Sequence, residues 1–260
     1  MRVDIHIVRH GMRQDAEDPE WVKKASIPTD PPLSPQGFLQ ASEVGAFLAS
    51  QGVSMIFSSP YLRTLQTASS ISRALSTPVP VKVEPGLREW VHRPNHPATL
   101  HLSQAEAEES FCLLDTSYMS ALSCPISVEC QQLLQERCVQ FASHFTAMMR
   151  HLAASPALPD RLSIALVSHA APSICLVRAF LADTSVPVRI ATCSVSSLSF
   201  DTSSPSNVWE AHTIGRTRHL QAGALASWGF EDMEPQKVTK STEPAPLLMI
   251  PVSLEESKSS

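Results

Sequence analysis

Val8-Arg9-His10-Gly11-Met12-Arg13 closes the first apolar run of the chain, and its reading decides the fold. Ile5, Ile7 and Val8 form a short β-prone run that stops at a glycine. An arginine, a histidine and a second arginine therefore stand where a strand gives way to a loop. Open α/β sheets bind ligands in the crevice beyond the carboxyl ends of their strands, so a site is expected here. An imidazole between guanidinium groups suits attack on phosphate. Arginine grips phosphoryl oxygens in fork geometry, and a neutral imidazole nitrogen is the nucleophile.

Outward from this motif, strand and helix patterns alternate. Residues 2–8 read as a strand, and 12–33 as a long loop with Trp21 and the Pro28, Pro31, Pro32 cluster. Ser34 and Pro35 read as N-cap and first position of a helix whose buried face runs through Ala41, Val44 and Leu48. Gly52 ends it before a strand at 53–57. Ser58-Ser59-Pro60 repeats the cap signal ahead of Leu62, Leu65, Ala68 and Ile71. Arg63 falls in the first turn of that helix, where a cation opposes the dipole unless an anion binds beside it. Further strands are expected at 81–83, 162–167, 190–200 and 207–212, with helices over 126–154 and 170–181. The alternation predicts a three-layer α/β/α sandwich around a mainly parallel sheet. One domain is expected over 1–232, with 92–125 as a variable cover over the site. Residues 233–260 read as a flexible tail holding an apolar island at 246–252.

At 260 residues, 43% hydrophobic and 17% charged, the chain suits one full-sized core. A net charge of -5 argues against a general nucleic-acid binder but leaves room for a local basic pocket, for which Arg9, Arg13 and Arg63 are the candidates. Cys112, Cys124, Cys130, Cys138, Cys175 and Cys193 show neither C-x-x-C pairing nor metal spacing, and are expected to be reduced thiols. Arg2 and Asp4 interrupt the N-terminus, so no signal peptide is expected. No run approaches the roughly 18 apolar residues of a membrane span. A soluble cytoplasmic protein is expected, or a nuclear one if it serves in a complex. His92, His96 and His101 make a loose histidine set without a ligand scaffold, and no metal or cofactor is expected.

Four strand ends then carry reactive groups: Arg9 with His10, Arg63, Glu89 and His169. Taken singly, the histidines could be core residues, Glu89 a solvated carboxylate and Arg13 half of a surface ion pair. As an ordered set they resemble the histidine phosphatase (phosphoglycerate mutase-like) superfamily. Arg9-His10-Gly11, Ser59-Pro60-Tyr61-Leu62-Arg63 with Thr67, and His169 carry that likeness. Arg13, Asp30-Pro31-Pro32-Leu33, Glu84–Trp90 and Ser168-His169-Ala170 narrow it to one branch. That branch is similar to the Sts and ecdysteroid-phosphate phosphatases and to the tau subunit of RNA polymerase III initiation factor C. The likeness runs from residue 3 to about 232.

The resemblance implies a metal-independent phosphomonoester hydrolase. His10 would form a phosphohistidine; Arg9, Arg13, Arg63 and His169 would hold the phosphoryl oxygens; Glu89 would be the general acid and base. Near neutral pH that last role calls for a raised pKa, for which burial beside Trp90 is the expected cause. Met12 departs from the acidic residue of the Sts enzymes, and Met12-Arg13-Gln14-Asp15 departs from the mutase pattern, so mutase activity is not expected. Substrates implied are phosphotyrosine, aryl phosphates or small hydrophobic phosphates, with no membrane or direct nucleic-acid partner. A homodimer is left open because related Sts domains pair. The competing reading is a weakly active, phosphatase-like scaffold that binds protein partners.

Overall fold

The computed structural model describes residues 1–91, 114–120, 122, 128–154 and 159–233. Most of the expected 92–125 cover, with His92, His96, His101, Cys112 and Cys124, lies outside the described residues, as does the tail from 234 with its 246–252 island.

Strand β1 (Arg2–Arg9) alternates strictly, and the alternation sorts its side chains between two cores. Val3, Ile5 and Ile7 join Phe141, Phe145, Ile174 and Leu176 on one face. Val8 joins Val44, Leu48, Leu65 and Ile71 on the other. The remaining strands are β2 (Met55–Ser58), β3 (Val81–Val83), β4 (Arg161–Ser168), β5 (Val195–Asp201) and β6 (Glu210–Arg216). They form one sheet in the order β3-β2-β4-β1-β5-β6. The pairs β3/β2, β2/β4 and β4/β1 are parallel; β1/β5 and β5/β6 are antiparallel. Helices α3 (Pro35–Ser50) and α4 (Leu62–Ala74) cover one face, and α5 (Gln131–Ala153) and α6 (Ala170–Leu181) the other. The three-layer sandwich is therefore present. β1 and β4 run side by side in register and end together at Arg9 and Ser168, which opens the crevice at their carboxyl ends.

Several boundaries differ from the sequence pattern. The 12–33 loop contains two one-turn helices, α1 (Gln14–Glu17) and α2 (Trp21–Lys24). The expected strand at 190–200 starts only at Val195, because Cys193 sits at φ 51° and Ile190 pairs with Trp228 instead. The strand expected at 207–212 begins at Glu210, and α5 begins at Gln131 rather than near 126. Ser34 does cap α3, accepting from the Gly37 N–H at 3.0 Å, with Pro35 at the first position. Cys130, Cys138, Cys175 and Cys193 are free thiols. Among the described residues no helix is long and apolar enough to cross a membrane.

Candidate active site

His10 follows β1 directly, and its backbone N–H donates to the Ser168 carbonyl at 3.0 Å across the β1/β4 junction. Gly11 is needed next because the chain passes against the first turn of α3. A Cβ on Gly11 would meet the Gly37 carbonyl, and one on Gly37 would collide with the Met12 carbonyl. The loop is held further by Met12 N–H to Gln40 Oε1 (2.9 Å) and Gly11 N–H to Thr67 Oγ1 (3.2 Å).

The His10 ring is buried, and its Nδ1 lies 2.7 Å from the Gly11 carbonyl. A carbonyl can only accept, so Nδ1 carries the hydrogen and Nε2 keeps its lone pair. Burial first, then the positive charges of Arg63 and Arg9, hold the His10 pKa well below its ordinary 6.5. The ring is neutral at physiological pH. The rings of His10 and His169 meet edge to face, 5.3 Å apart.

The sequence pattern expects Ser58 or Ser59 to cap α4, and neither does. The helix starts at Leu62, and Asp30 reaches over from the long loop to accept the Leu62 N–H at 3.1 Å. Ser59 is released to bind His169 Nε2 through its hydroxyl, at 2.8 Å. Arg63, fully buried in the first turn, donates to Asp30 Oδ1 (3.2 Å) and Glu89 Oε2 (3.1 Å), and its Nη2 lies 3.0 Å from His169 Nδ1. Glu89 and His169 are themselves 3.2 Å apart, so arginine, carboxylate and imidazole form a closed triangle behind His10. Burial pushes the His169 pKa down to about 4.

Glu89 corrects one expectation. Burial alone would raise its pKa, as anticipated from Trp90. The His169 ring, the Arg63 guanidinium and the Trp90 N–H (2.9 Å to Oε1) outweigh that and hold the carboxyl well below 4.5. Glu89 rests ionised.

The loop carrying Glu89 is built on a buried ionic cluster. Glu129 accepts from Arg88 (2.6 and 3.2 Å) and from Arg137 (2.8 and 3.0 Å). Arg137 in turn donates to the carbonyls of Gly86 (2.8 Å) and Arg88 (3.1 Å), and Trp90 Nε1 donates to the Glu129 carbonyl (2.9 Å). Backbone on both sides of Glu89 is thereby fixed.

Arg9, His10, Arg13, Glu89 and Trp90 share a cavity of about 350 Å³ with Ala170, Ala171, Trp228 and Met233. Arg9 donates through Nη1 to the carbonyls of Ile190 (3.0 Å) and Ala226 (2.6 Å). Burial lowers its pKa to about 10, which leaves it a cation. Arg13 is half-exposed, oriented by bidentate contact with Asp15 (2.8 and 2.5 Å). Trp21 does not line this cavity; Trp90 does, while also packing in the core. All six expected site residues thus converge. Asp30, Glu129, Arg137, Trp228 and Met233 join them from elsewhere in the chain. Only Asp30 had a signal, the Asp-Pro-Pro-Leu stretch.

His10, Glu89 and His169 offer ligand atoms within 4.8 Å of one another, a spacing that could hold a metal ion. The Arg63 guanidinium fits that role poorly, since it bonds Glu89 and meets His169 from inside the same cluster. A cation would face a fixed positive charge there, whereas an oxyanion gains a donor.

The family model for the histidine phosphatase superfamily (branch 1) matches residues 5–212. The chain belongs to that superfamily. It is 30% identical over 171 residues to human ubiquitin-associated and SH3 domain-containing protein A, covering 53% of this chain and 26% of that protein. It is 25% identical over 280 residues to the 55 kDa subunit of transcription factor tau from Saccharomyces cerevisiae, covering 92% and 63%. The chain thus spans about a quarter and just under two thirds of these two relatives. Among solved structures, the ecdysone phosphate phosphatase of Bombyx mori in complex with tungstate shares the fold, with TM-score 0.64 and 18% identity over 81% of this chain and 92% of that one.

Proposed function

We propose that this superfamily member hydrolyses phosphate monoesters through a phosphohistidine on His10. The observation that carries the reading is the 2.7 Å contact between His10 Nδ1 and the Gly11 carbonyl. It fixes the tautomer and leaves Nε2 as a nucleophile in a cavity that Arg9 and Arg13 also line. In the first step Nε2 bonds to phosphorus as the bond to the leaving oxygen breaks. Arg9, Arg13, Arg63 and His169 hold the charge on the three equatorial oxygens, so no metal ion is called for. The leaving oxygen needs a proton, and resting Glu89 has none to give. The substrate monoanion, with a second pKa of about 6, brings it in. The arriving phosphate competes with Glu89 for Arg63, which raises the proton affinity of the carboxylate and lets it relay that proton. In the second step Glu89 takes a proton from the water that attacks phosphorus, and the phosphorus–nitrogen bond breaks.

Trp90, Trp228 and Met233 give the cavity an apolar wall. That wall supports an aryl or other hydrophobic leaving group, phosphotyrosine included. The test is p-nitrophenyl phosphate hydrolysis by wild type and His10→Ala, with and without chelator. Turnover lost only in the variant, with acid-labile, base-stable label on His10, is expected. The likeness to the tau subunit favours a second reading, a phosphatase-like scaffold. Wild-type protein that neither turns over nor binds vanadate would overturn the hydrolase reading.

A further inference from the structure

The end of the sheet opposite His10 holds a second cleft. Central strand β1 is paired on both edges and covered on both faces, a setting that ordinarily selects apolar side chains throughout. Yet the face that carries Val8 also carries Asp4 and His6, only 4% and 3% exposed. Together with Arg2, Arg161, Arg216 and His212 they line a cleft of about 430 Å³ beside the end of α3.

Each polar group there is held in place. His6 lies between the hydroxyls of Ser197 (2.9 Å) and Ser163 (3.2 Å), and burial pushes its pKa down to about 4. His212 Nε2 lies 2.7 Å from Ser199 Oγ and 3.2 Å from Arg2 Nη2. Asp4 accepts from the Nε of both Arg2 (2.9 Å) and Arg161, which fixes two guanidiniums while engaging one nitrogen of each. Arg216 lies over the Phe47 ring at 4.7 Å with its buried Nε unpaired. Among the described residues, the Nη groups of Arg161 and Arg216 have no hydrogen-bond partner.

Three guanidiniums therefore face one carboxylate, an excess of positive charge on a chain of net charge -5. The C-terminus of α3 contributes about half a negative charge nearby, too little to offset it. We propose that this cleft binds a phosphate-type oxyanion, free or esterified to a small alcohol. The Nη groups of Arg161 and Arg216 would donate to its oxygens, with Asp4 holding Arg161 in its fork orientation.

The imidazole Cε1–H resonance of His212, assigned with His212→Asn, reports on this cleft by proton NMR. Titration of the full chain with inorganic phosphate, and separately with glycerol 3-phosphate, should give a saturable shift of that resonance. The shift should persist in Arg63→Ala, which removes a donor from the catalytic crevice. It should need at least tenfold more ligand in Arg161→Gln/Arg216→Gln, whose folding is verified by its melting transition. Tighter binding of the ester assigns an organic phosphate, and tighter binding of the inorganic ion assigns free phosphate. No saturable shift, an equal shift in the double variant, or its loss in Arg63→Ala would overturn the proposal.

Discussion

Substituting Glu129→Gln removes the negative charge that joins Arg88 to Arg137 while keeping the side-chain shape. Four N–H···O contacts of 2.6 to 3.2 Å end on that carboxylate, and all three residues are at most 6% exposed. Removing one partner from a buried ionic cluster costs about 3–5 kcal/mol, because two guanidiniums are then left facing each other in a low-dielectric setting. Urea unfolding should show a loss of that size. Catalysis should fall for a different reason. Arg137 anchors the carbonyls on the N-terminal side of Glu89, and a displacement of about 1 Å at an acid/base group can lower turnover about a hundredfold. We expect kcat on p-nitrophenyl phosphate to fall by that order, with KM within about twofold, at a temperature where the variant is folded.

The triple variant Glu129→Leu/Arg88→Met/Arg137→Met separates the two effects. Replacing a whole buried ion cluster by apolar side chains is often neutral or stabilising, so stability should return. Turnover should not, since the donors to the Gly86 and Arg88 carbonyls are gone. Wild-type stability in Glu129→Gln, or restored turnover in the triple variant, would refute the reasoning.

Four further outcomes are expected. His6 and His169, whose pKa burial holds at about 4 against an ordinary 6.5, take up protons at pH 5 only when the chain unfolds. Stability should therefore rise with pH from about 4 to 6.5 and level off above, by about 2 kcal/mol per histidine between pH 5 and 8; a flat profile in urea melts across that window counts against it. Because the leaving-group proton arrives on the substrate, kcat/KM should decline as pH rises through about 6, and His10 should add no acid limb between pH 5 and 6.5; a rate that climbs with pH from 5 to 8 removes that proton route. Arg63→Ala should lower kcat by about 10²–10³, the loss typical of one oxyanion donor, whereas half-exposed Arg13→Ala should act mainly on KM; equal effects in steady-state kinetics would contradict the placement. Gly37→Ala should both destabilise the fold and slow turnover, since its Cβ meets the Met12 carbonyl rather than a flexible side chain; unchanged melting and kinetics would show that the loop can yield.

The strand ends of the candidate site were legible because their signals are local. Alternation in Arg2–Arg9 sets the two faces of β1, and Gly11 marks the exit that exposes His10. Ser34-Pro35 fixes the start of α3, and the apolar run at 162–167 delivers His169. What escaped was assembled from a distance. The cap of α4 comes from Asp30, 32 residues before Leu62, and this frees Ser59 for His169. Glu129 lies 41 residues beyond Arg88, in a stretch whose helical pattern predicts an earlier start than Gln131. Trp228 reaches the cavity through its pairing with Ile190, where the expected strand gives way to a bridge. Asp4 and His6 are plain to read as polar residues in a central strand, but only the sheet order shows that both edges of that strand are paired.

The ionisation of Glu89 shows why local reading stops short of mechanism. Its neighbour Trp90 suggested an apolar pocket and a raised pKa, and burial does act in that direction. The opposing groups, Arg63 and His169, stand 26 residues before it and 80 after it, and only folding brings them within 3.2 Å. Their combined effect reverses the sign. On the proposed mechanism Glu89 would acquire its proton from the substrate, and Arg63, which with His169 holds it ionised, is also a donor the phosphate would need. Substrate and carboxylate would then compete for Arg63, so that occupancy of the site would itself ready Glu89 for proton transfer. The Arg63–Glu89 ion pair keeps the carboxylate ionised, and on the proposed mechanism its loosening is what would let Glu89 carry the proton.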